Sequence, residues 1–191
     1  MARLGWLALL AAWAVQAQPF EAGVFGGVSR INGSDIGSFS LSDATRINLK
    51  DGWGFGGRMT FNSWPYFGHE VGYKYNRTQW QLADGNFGSA IHQGFYNFLA
   101  YATPEGSRVR PFATGGAHFT NFIFPGQSVT QGGGSNKVGV NYGGGIKLKV
   151  SPKYMIRLDM RQYIQGKPYD LPNQSGRLTL LEISAGFSFH L

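Results

Sequence analysis

The stretch Leu181–Leu191 constrains what this chain can fold into more than any other. Its odd positions, Leu181, Ile183, Ala185, Phe187, Phe189 and Leu191, are apolar, while Glu182, Ser184, Gly186, Ser188 and His190 between them are polar or small. Side chains of a strand alternate between its faces with a period of two, so one face of this segment suits hydrocarbon and the other suits polar surroundings.

The same alternation recurs from the start of the chain. Over 18–30, Phe20, Ala22, Val24, Gly26 and Val28 oppose Glu21, Gly23, Phe25, Gly27 and Ser29. Gly52–Asn62 sets Trp53, Phe55, Gly57, Met59 and Phe61 against Gly54, Gly56, Arg58 and Thr60. Phe67–Trp80 sets Phe67, His69, Val71, Tyr73 and Tyr75 against Gly68, Glu70, Gly72 and Lys74. Ser89–Ala102 is a fourth segment, but Phe95, Tyr96, Phe98 and Leu99 put apolar groups on both faces, so its inward side stays unassigned. Arg110–Asn121 carries His118. Lys137–Val150 places Val138, Val140, Tyr142, Ile146 and Leu148 opposite Asn141, Lys147 and Lys149. Tyr154–Tyr163 places Tyr154, Ile156, Leu158 and Met160 opposite Arg157, Asp159, Arg161 and Tyr163.

This makes about eight amphipathic segments of roughly 9–14 residues, near the length a tilted strand needs to cross a bilayer. The connections alternate as well. Long polar loops are expected at Ile31–Asp51, Gln81–Gly88, Phe122–Asn136 and Ile164–Gly176, and short turns at Asn62–Tyr66, Thr103–Val109 and Ser151–Lys153. Long loops outside the cell, with short turns and both termini in the periplasm, give that rhythm. A closed sheet also leaves no unpaired edge in lipid, where each unmade backbone hydrogen bond costs several kcal/mol. The expected fold is all-β, an eight-stranded antiparallel up-and-down transmembrane β-barrel over residues 18–191.

Residues 1–17 have the layout of a cleaved secretory signal peptide: Met1-Ala2-Arg3, an apolar run from Leu4 to Val15, then Val15-Gln16-Ala17. No cysteine is present, so no disulfide staples an exported chain that needs a core or a closed sheet instead. There are 29 glycines in 191 residues, against an average usage of about 7%. Aromatics reach 15% and charged residues only 14%. Glycine relieves crowding in a narrow interior, and aromatics form the girdles of a membrane barrel. The net charge of +7 is scattered without a basic run or a binding motif, so nucleic acid is not an expected partner. Lipopolysaccharide and other outer-membrane lipids are the expected polyanions.

The closing segment resembles the terminal strand of bacterial outer-membrane barrels, whose last aromatic or apolar residues the barrel-assembly machinery reads. That resemblance gives Phe187, Phe189 and Leu191 the role of assembly signal. Arg110-Pro111-Phe112, Tyr142-Gly143-Gly144-Gly145 and Ile156-Arg157-Leu158-Asp159-Met160-Arg161 resemble the repeated phrases of the small OmpA/OmpX-type, opacity-like barrels. The resemblance covers the mature chain, and the peptidoglycan-binding domain of OmpA-type proteins is not expected after the last strand.

Inward-facing charges form the main candidate constellation: Arg58, Glu70, Lys74, Lys147, Lys149, Arg157, Asp159, Arg161 and Glu182. An eight-stranded barrel is only wide enough for its side chains to fill. Charges inside it must pair, because a lone buried charge costs several kcal/mol. A structural plug is therefore expected, with the extracellular loops free to meet a ligand. The glycines of the interior face motivate an alternative, a narrow channel for ions or small solutes. No catalytic, cofactor-binding or metal-binding residues are expected. His69, His92, His118 and His190 lack close ligand spacing. One lipid A deacylase type of outer-membrane barrel uses a His-x-Ser pair, and His118-Phe119-Thr120 is the nearest match, with threonine in place of serine. Asp51-Gly52-Trp53 echoes the Gly-x-Trp of soluble lipocalins, the remaining structural rival.

Overall fold

The computed structural model describes residues 20–42, 45–128, 130 and 134–190. The expected signal peptide and Leu191 lie outside these residues. Ten strands follow in order: β1 (Phe20–Asn32), β2 (Asp35–Gly37), β3 (Ile47–Leu49), β4 (Gly52–Trp64), β5 (Phe67–Leu82), β6 (Gly85–Tyr101), β7 (Val109–Ile123), β8 (Ser135–Lys149), β9 (Tyr154–Gly166) and β10 (Arg177–His190). The eight long strands pair antiparallel, each with the next, and β10 pairs with β1 from Glu21↔His190 to Asn32↔Thr179. That last ladder closes the barrel, so no long strand keeps an open edge.

The alternation in the sequence sorts as the physics requires. Val24, Val28, Trp53, Phe55, Met59, Val71, Tyr73, Val138, Val140, Leu158, Met160 and Ile183 stand exposed on the outer wall. Arg58, Thr60, Glu70, Lys74, Asn141, Lys147, Arg157, Asp159, Arg161 and Glu182 are buried inside. Strand β6 resolves its ambiguity: Ser89, Ile91, Gln93, Phe95, Asn97, Leu99 and Tyr101 are buried, so the odd positions face inward. Its aromatic residues on the inward face are what blurred the pattern.

Inward glycines explain where those rings go. A Cβ on Gly72 would lie 2.3 Å from the Phe95 ring, and one on Gly145 would lie 2.8 Å from the Phe112 ring. Each glycine makes room for an aromatic side chain of a neighbouring strand. The space that the interior glycines leave is therefore occupied.

Two of the expected loops are corrected. Gln81–Gly88 is not a long loop; β5 and β6 continue to the pair Leu82↔Gly85 around a two-residue turn. The hairpin thus rises well past the roughly 9–11 residues that a tilted strand needs to span a bilayer. Ile31–Asp51 is not simply a polar surface loop either. It contains β2 and β3, and β3 pairs with the top of β5 through Asn48↔Gln81 and Leu49↔Trp80.

The filled lumen as candidate functional site

Strand β9 sets the middle of the lumen, because Arg157, Asp159 and Arg161 are two apart and so stack on one face. Glu70 reaches them from β5, across the barrel. Its Oε2 accepts from Arg157 Nη1 at 2.5 Å and its Oε1 from Arg161 Nη2 at 2.7 Å. Asp159 accepts from Arg157 Nη2 at 2.9 Å, from Arg161 Nη2 at 3.1 Å and from Arg58 Nη1 at 2.8 Å. Two carboxylates are thus shared among three guanidinium groups, whose planar forks suit carboxylate oxygens. The rings brought in by the glycines cover the guanidinium faces: Arg157 lies 4.3 Å from the Phe112 centroid and Arg58 lies 4.5 Å from that of Phe25.

Above this layer Lys74 pairs with Glu182 and sits 3.7 Å from the Tyr163 ring. His118 Nε2 meets Gln165 Oε1 at 2.8 Å, and Gln93 Nε2 donates to Thr120 Oγ1 at 3.1 Å. Below it, Lys147 Nζ donates to Glu21 Oε2 at 2.6 Å and to the Tyr101 hydroxyl at 2.8 Å. Asn62 Nδ2 donates to Glu21 Oε1 at 2.9 Å. In the periplasmic turn, burial holds the Glu105 carboxyl above its ordinary range, against the opposing pull of Arg110.

The extracellular mouth is closed by different material. Ile31, Ile36, Ile47, Leu49, Trp80, Ile91, Phe122, Tyr163, Leu178 and Leu180 form one buried apolar cluster. Tyr169 packs over it, with ring centroids 4.5 Å from Phe124 and 4.8 Å from Trp80. Two loops are latched to each other across this cap. Asn173 Nδ2 donates to Ser38 Oγ at 2.9 Å, Gln174 Nε2 to the Ile36 carbonyl at 2.7 Å, and the Ser38 amide to the Pro172 carbonyl at 2.9 Å. Tyr169, Asp170 and Asn173 all have positive φ, at 70°, 47° and 59°. Such backbone is held only where its surroundings over-determine it, and here the latch and the aromatic packing supply that.

Of the nine lumen charges read from the sequence, the structure brings eight into ion pairs. Lys149 is the correction: it is only half-buried, at the periplasmic mouth, and has no carboxylate within ion-pair distance among the described residues. It lies beyond the level of Lys147, where the lumen opens toward solvent. The member missed is Glu21, although it already shared a face with Phe25 and Ser29. Phe187 and Phe189 stand on the outer wall against Tyr154, at 5.4 and 5.3 Å. His69 and His92 are on the outer wall beside Tyr96 and Tyr73. No group of three or more potential metal-ligating His, Asp or Glu residues occurs among the described residues.

An apolar outer wall, a closed antiparallel sheet and a charged interior together define a membrane-spanning β-barrel. The family model for the outer membrane protein β-barrel domain matches residues 7–189, and the chain belongs to that family. Among solved structures it is similar to Neisserial surface protein A, at a TM-score of 0.62 and 14% identity, covering 90% of this chain and 97% of that one. It is also similar to OprG from Pseudomonas aeruginosa, at 0.62 and 12%, covering 92% and 96%. Ail of Yersinia pestis, in complex with the heparin analogue sucrose octasulfate, matches at 0.56 and 12%, covering 91% and 99%. At these identities the likeness concerns the fold. No curated protein sequence matches the chain.

Proposed function

We propose that this outer-membrane barrel is a sealed scaffold that works through its extracellular loops as a structural and surface-interaction protein. The observation that carries this reading is the continuous filling of the lumen, from the Lys147–Glu21 layer through the Arg157–Glu70–Asp159 layer to the apolar cap. Every cation named in those layers has a carboxylate partner, and the one further buried cation, Arg110 at the lower end, donates to the Pro65 carbonyl at 3.0 Å and lies 3.7 Å from the Tyr101 ring centroid. The glycines that motivate a channel face Phe95 and Phe112 at contact distance, which argues against an open path. His118 and Thr120 are buried and bonded to Gln165 and Gln93, away from the lipid-facing wall where a lipid substrate would lie. The loops of 31–51, 122–136 and 164–176 are then the parts that meet an extracellular ligand, and Phe187 and Phe189 serve assembly.

Two measurements test it. The full chain reconstituted in a planar bilayer should show no discrete conductance steps; regular single-channel steps would replace this reading with the channel. Protease treatment of intact cells should nick the loops while the barrel persists, and complete protection of all three would remove the surface role.

A further inference from the structure

The periplasmic end of the lumen carries charges that the barrel itself does not pair. Beneath the Lys147–Glu21 layer lies a recess of about 70 Å³, lined by Glu21, Glu105, Arg110, Lys149 and His190. Glu21 is already engaged, since Lys147 and Asn62 both donate to it. Glu105, Arg110 and Lys149 enter none of the ion pairs of the described residues. Arg110 is only 4% exposed, yet a single one of its nitrogens, Nη2, has an acceptor, the Pro65 carbonyl. Its Nε is buried without one. The Glu105 carboxylate has one long contact, with Asn62 Nδ2 at 3.5 Å.

A buried charge costs several kcal/mol unless a counter-charge replaces the water it has lost. The face of the Tyr101 ring, over which Arg110 lies, supplies a part of that. The other buried cations of the lumen, Arg58, Lys74, Lys147, Arg157 and Arg161, each meet a carboxylate. In the recess, two cations and one carboxylate stand around a common opening without meeting one another. The opening lies among the short turns and therefore faces the periplasm.

We propose that this recess binds the zwitterionic head of an α-amino acid, its carboxylate between Arg110 and Lys149 and its ammonium on Glu105. A plain anion would leave Glu105 without a counter-charge, and a plain cation would face Arg110 and Lys149. A head that carries both signs on one carbon answers all three groups. Guanidinium forks suit carboxylate oxygens, and an ammonium supplies the positive partner that the half-buried Glu105 lacks. The volume of about 70 Å³ equals about two shares of liquid water at about 30 Å³ each. That admits the ammonium, the α-carbon and the carboxylate, while the side chain leaves through the mouth. Pro152 and Met155 give the α-carbon an apolar side to rest on. Two periplasmic molecules present such a head: a free amino acid, and the uncross-linked diamino acid of a cell-wall stem peptide. The site shares with the sealed-scaffold reading only the periplasmic orientation of the short turns.

The test uses the full chain folded in zwitterionic detergent, titrated calorimetrically with meso-diaminopimelate. Pimelate keeps the two carboxylates of that probe without its amines, and cadaverine keeps the amines without the carboxylates. Each should bind at least about tenfold more weakly, because each leaves charged groups of the recess unpaired. Lys149→Gln and Glu105→Gln, both at partly exposed positions, should each weaken diaminopimelate about tenfold, the worth of one charge-assisted hydrogen bond. Lys153→Gln, in the same turn but outside the recess, should leave the affinity unchanged. The heat-dependent gel shift reports whether each variant is folded. A disaccharide tripeptide ending in diaminopimelate, binding as tightly as the free diamino acid, would assign the site to the cell wall; binding of the free compound alone would assign it to soluble amino acids. No saturable binding of diaminopimelate, equal binding of pimelate or cadaverine, full affinity in folded Lys149→Gln or Glu105→Gln, or an equal loss in Lys153→Gln would each overturn the proposal.

Discussion

The middle of the lumen and its extracellular mouth are both closed to water, but by opposite chemistries. In the middle, Glu70, Arg157, Arg161 and Asp159 are 0–3% exposed and satisfy one another through ion pairs. At the mouth, Ile36, Ile47 and Trp80 are equally buried, at 0–3%, and meet only hydrocarbon and rings. The charged layer is built from strand residues whose positions the ladder register fixes, so its partners face each other once the sheet closes. The cap joins Trp80, Ile91, Phe122, Tyr163, Leu178 and Leu180 from the upper ends of the long strands to Ile36, Ile47 and Leu49 of the 31–51 segment, and these last three need the latch of Asn173, Gln174 and Ser38 to hold them over the opening. Loss of one charge in the middle strands others inside the barrel wall, whereas loss of one side chain at the mouth loosens a lid.

This difference orders the expected effects of substitution. Glu70→Gln leaves Arg157 and Arg161 short of a partner, and breaking a buried pair from one side costs about 3–5 kcal/mol. Urea unfolding in lipid vesicles should show it, and a wild-type midpoint would mean that the layer is not held by charge. Met160→Arg, on the lipid face near mid-height, should cost about 2–4 kcal/mol; its comparison with Glu70→Gln in the same assay weighs the two faces of one wall. Ile47→Ala in the cap should cost about 2 kcal/mol, at the low end for a buried aliphatic truncation. Its effect should be local, with faster amide exchange in 33–50 and unchanged exchange in β9. Gln174→Ala removes one latch bond and should cost about 1 kcal/mol, again seen as exchange in 33–50. Lys149→Ala should stay within about 0.5 kcal/mol, while Lys147→Ala strands Glu21 and falls with the larger effects. Equal costs for the two lysines would erase the boundary drawn between lumen and periplasmic mouth.

The same two regions show what could be read from the sequence. Strand residues announce themselves by parity: Arg157, Asp159 and Arg161 alternate with Ile156, Leu158 and Met160, so both their depth and their company follow from a period of two. Where parity is degraded, the reading stops. Phe95 and Leu99 are lumen residues that look like outer-wall residues, because the space that accepts the Phe95 ring is a glycine on the neighbouring strand, Gly72, far off in sequence. The cap is less legible still. Ile36 and Ile47 lie singly among serine, asparagine and glycine, with no periodicity, and their burial depends on Trp80, Phe122, Leu178 and Leu180 arriving from three other strands. Local pattern carries no trace of such a meeting. The hairpin at Ala83-Asp84 reads as a loop for a related reason: above the membrane both faces of a strand can be polar, and alternation fades.

The span of the central ion pairs bears on how this barrel comes into being. Arg157 and Arg161 are separated from Glu70 by 87 and 91 residues. A flat or half-curled sheet inserted strand by strand would carry two guanidinium groups on β9 with only Asp159 between them, and on β5 a Glu70 carboxylate without a cation, all in hydrocarbon. Neutrality inside arrives only when the sheet has curled far enough to bring those strands face to face. Curling ahead of full entrance into the bilayer would spare Glu70 from facing hydrocarbon without a cation.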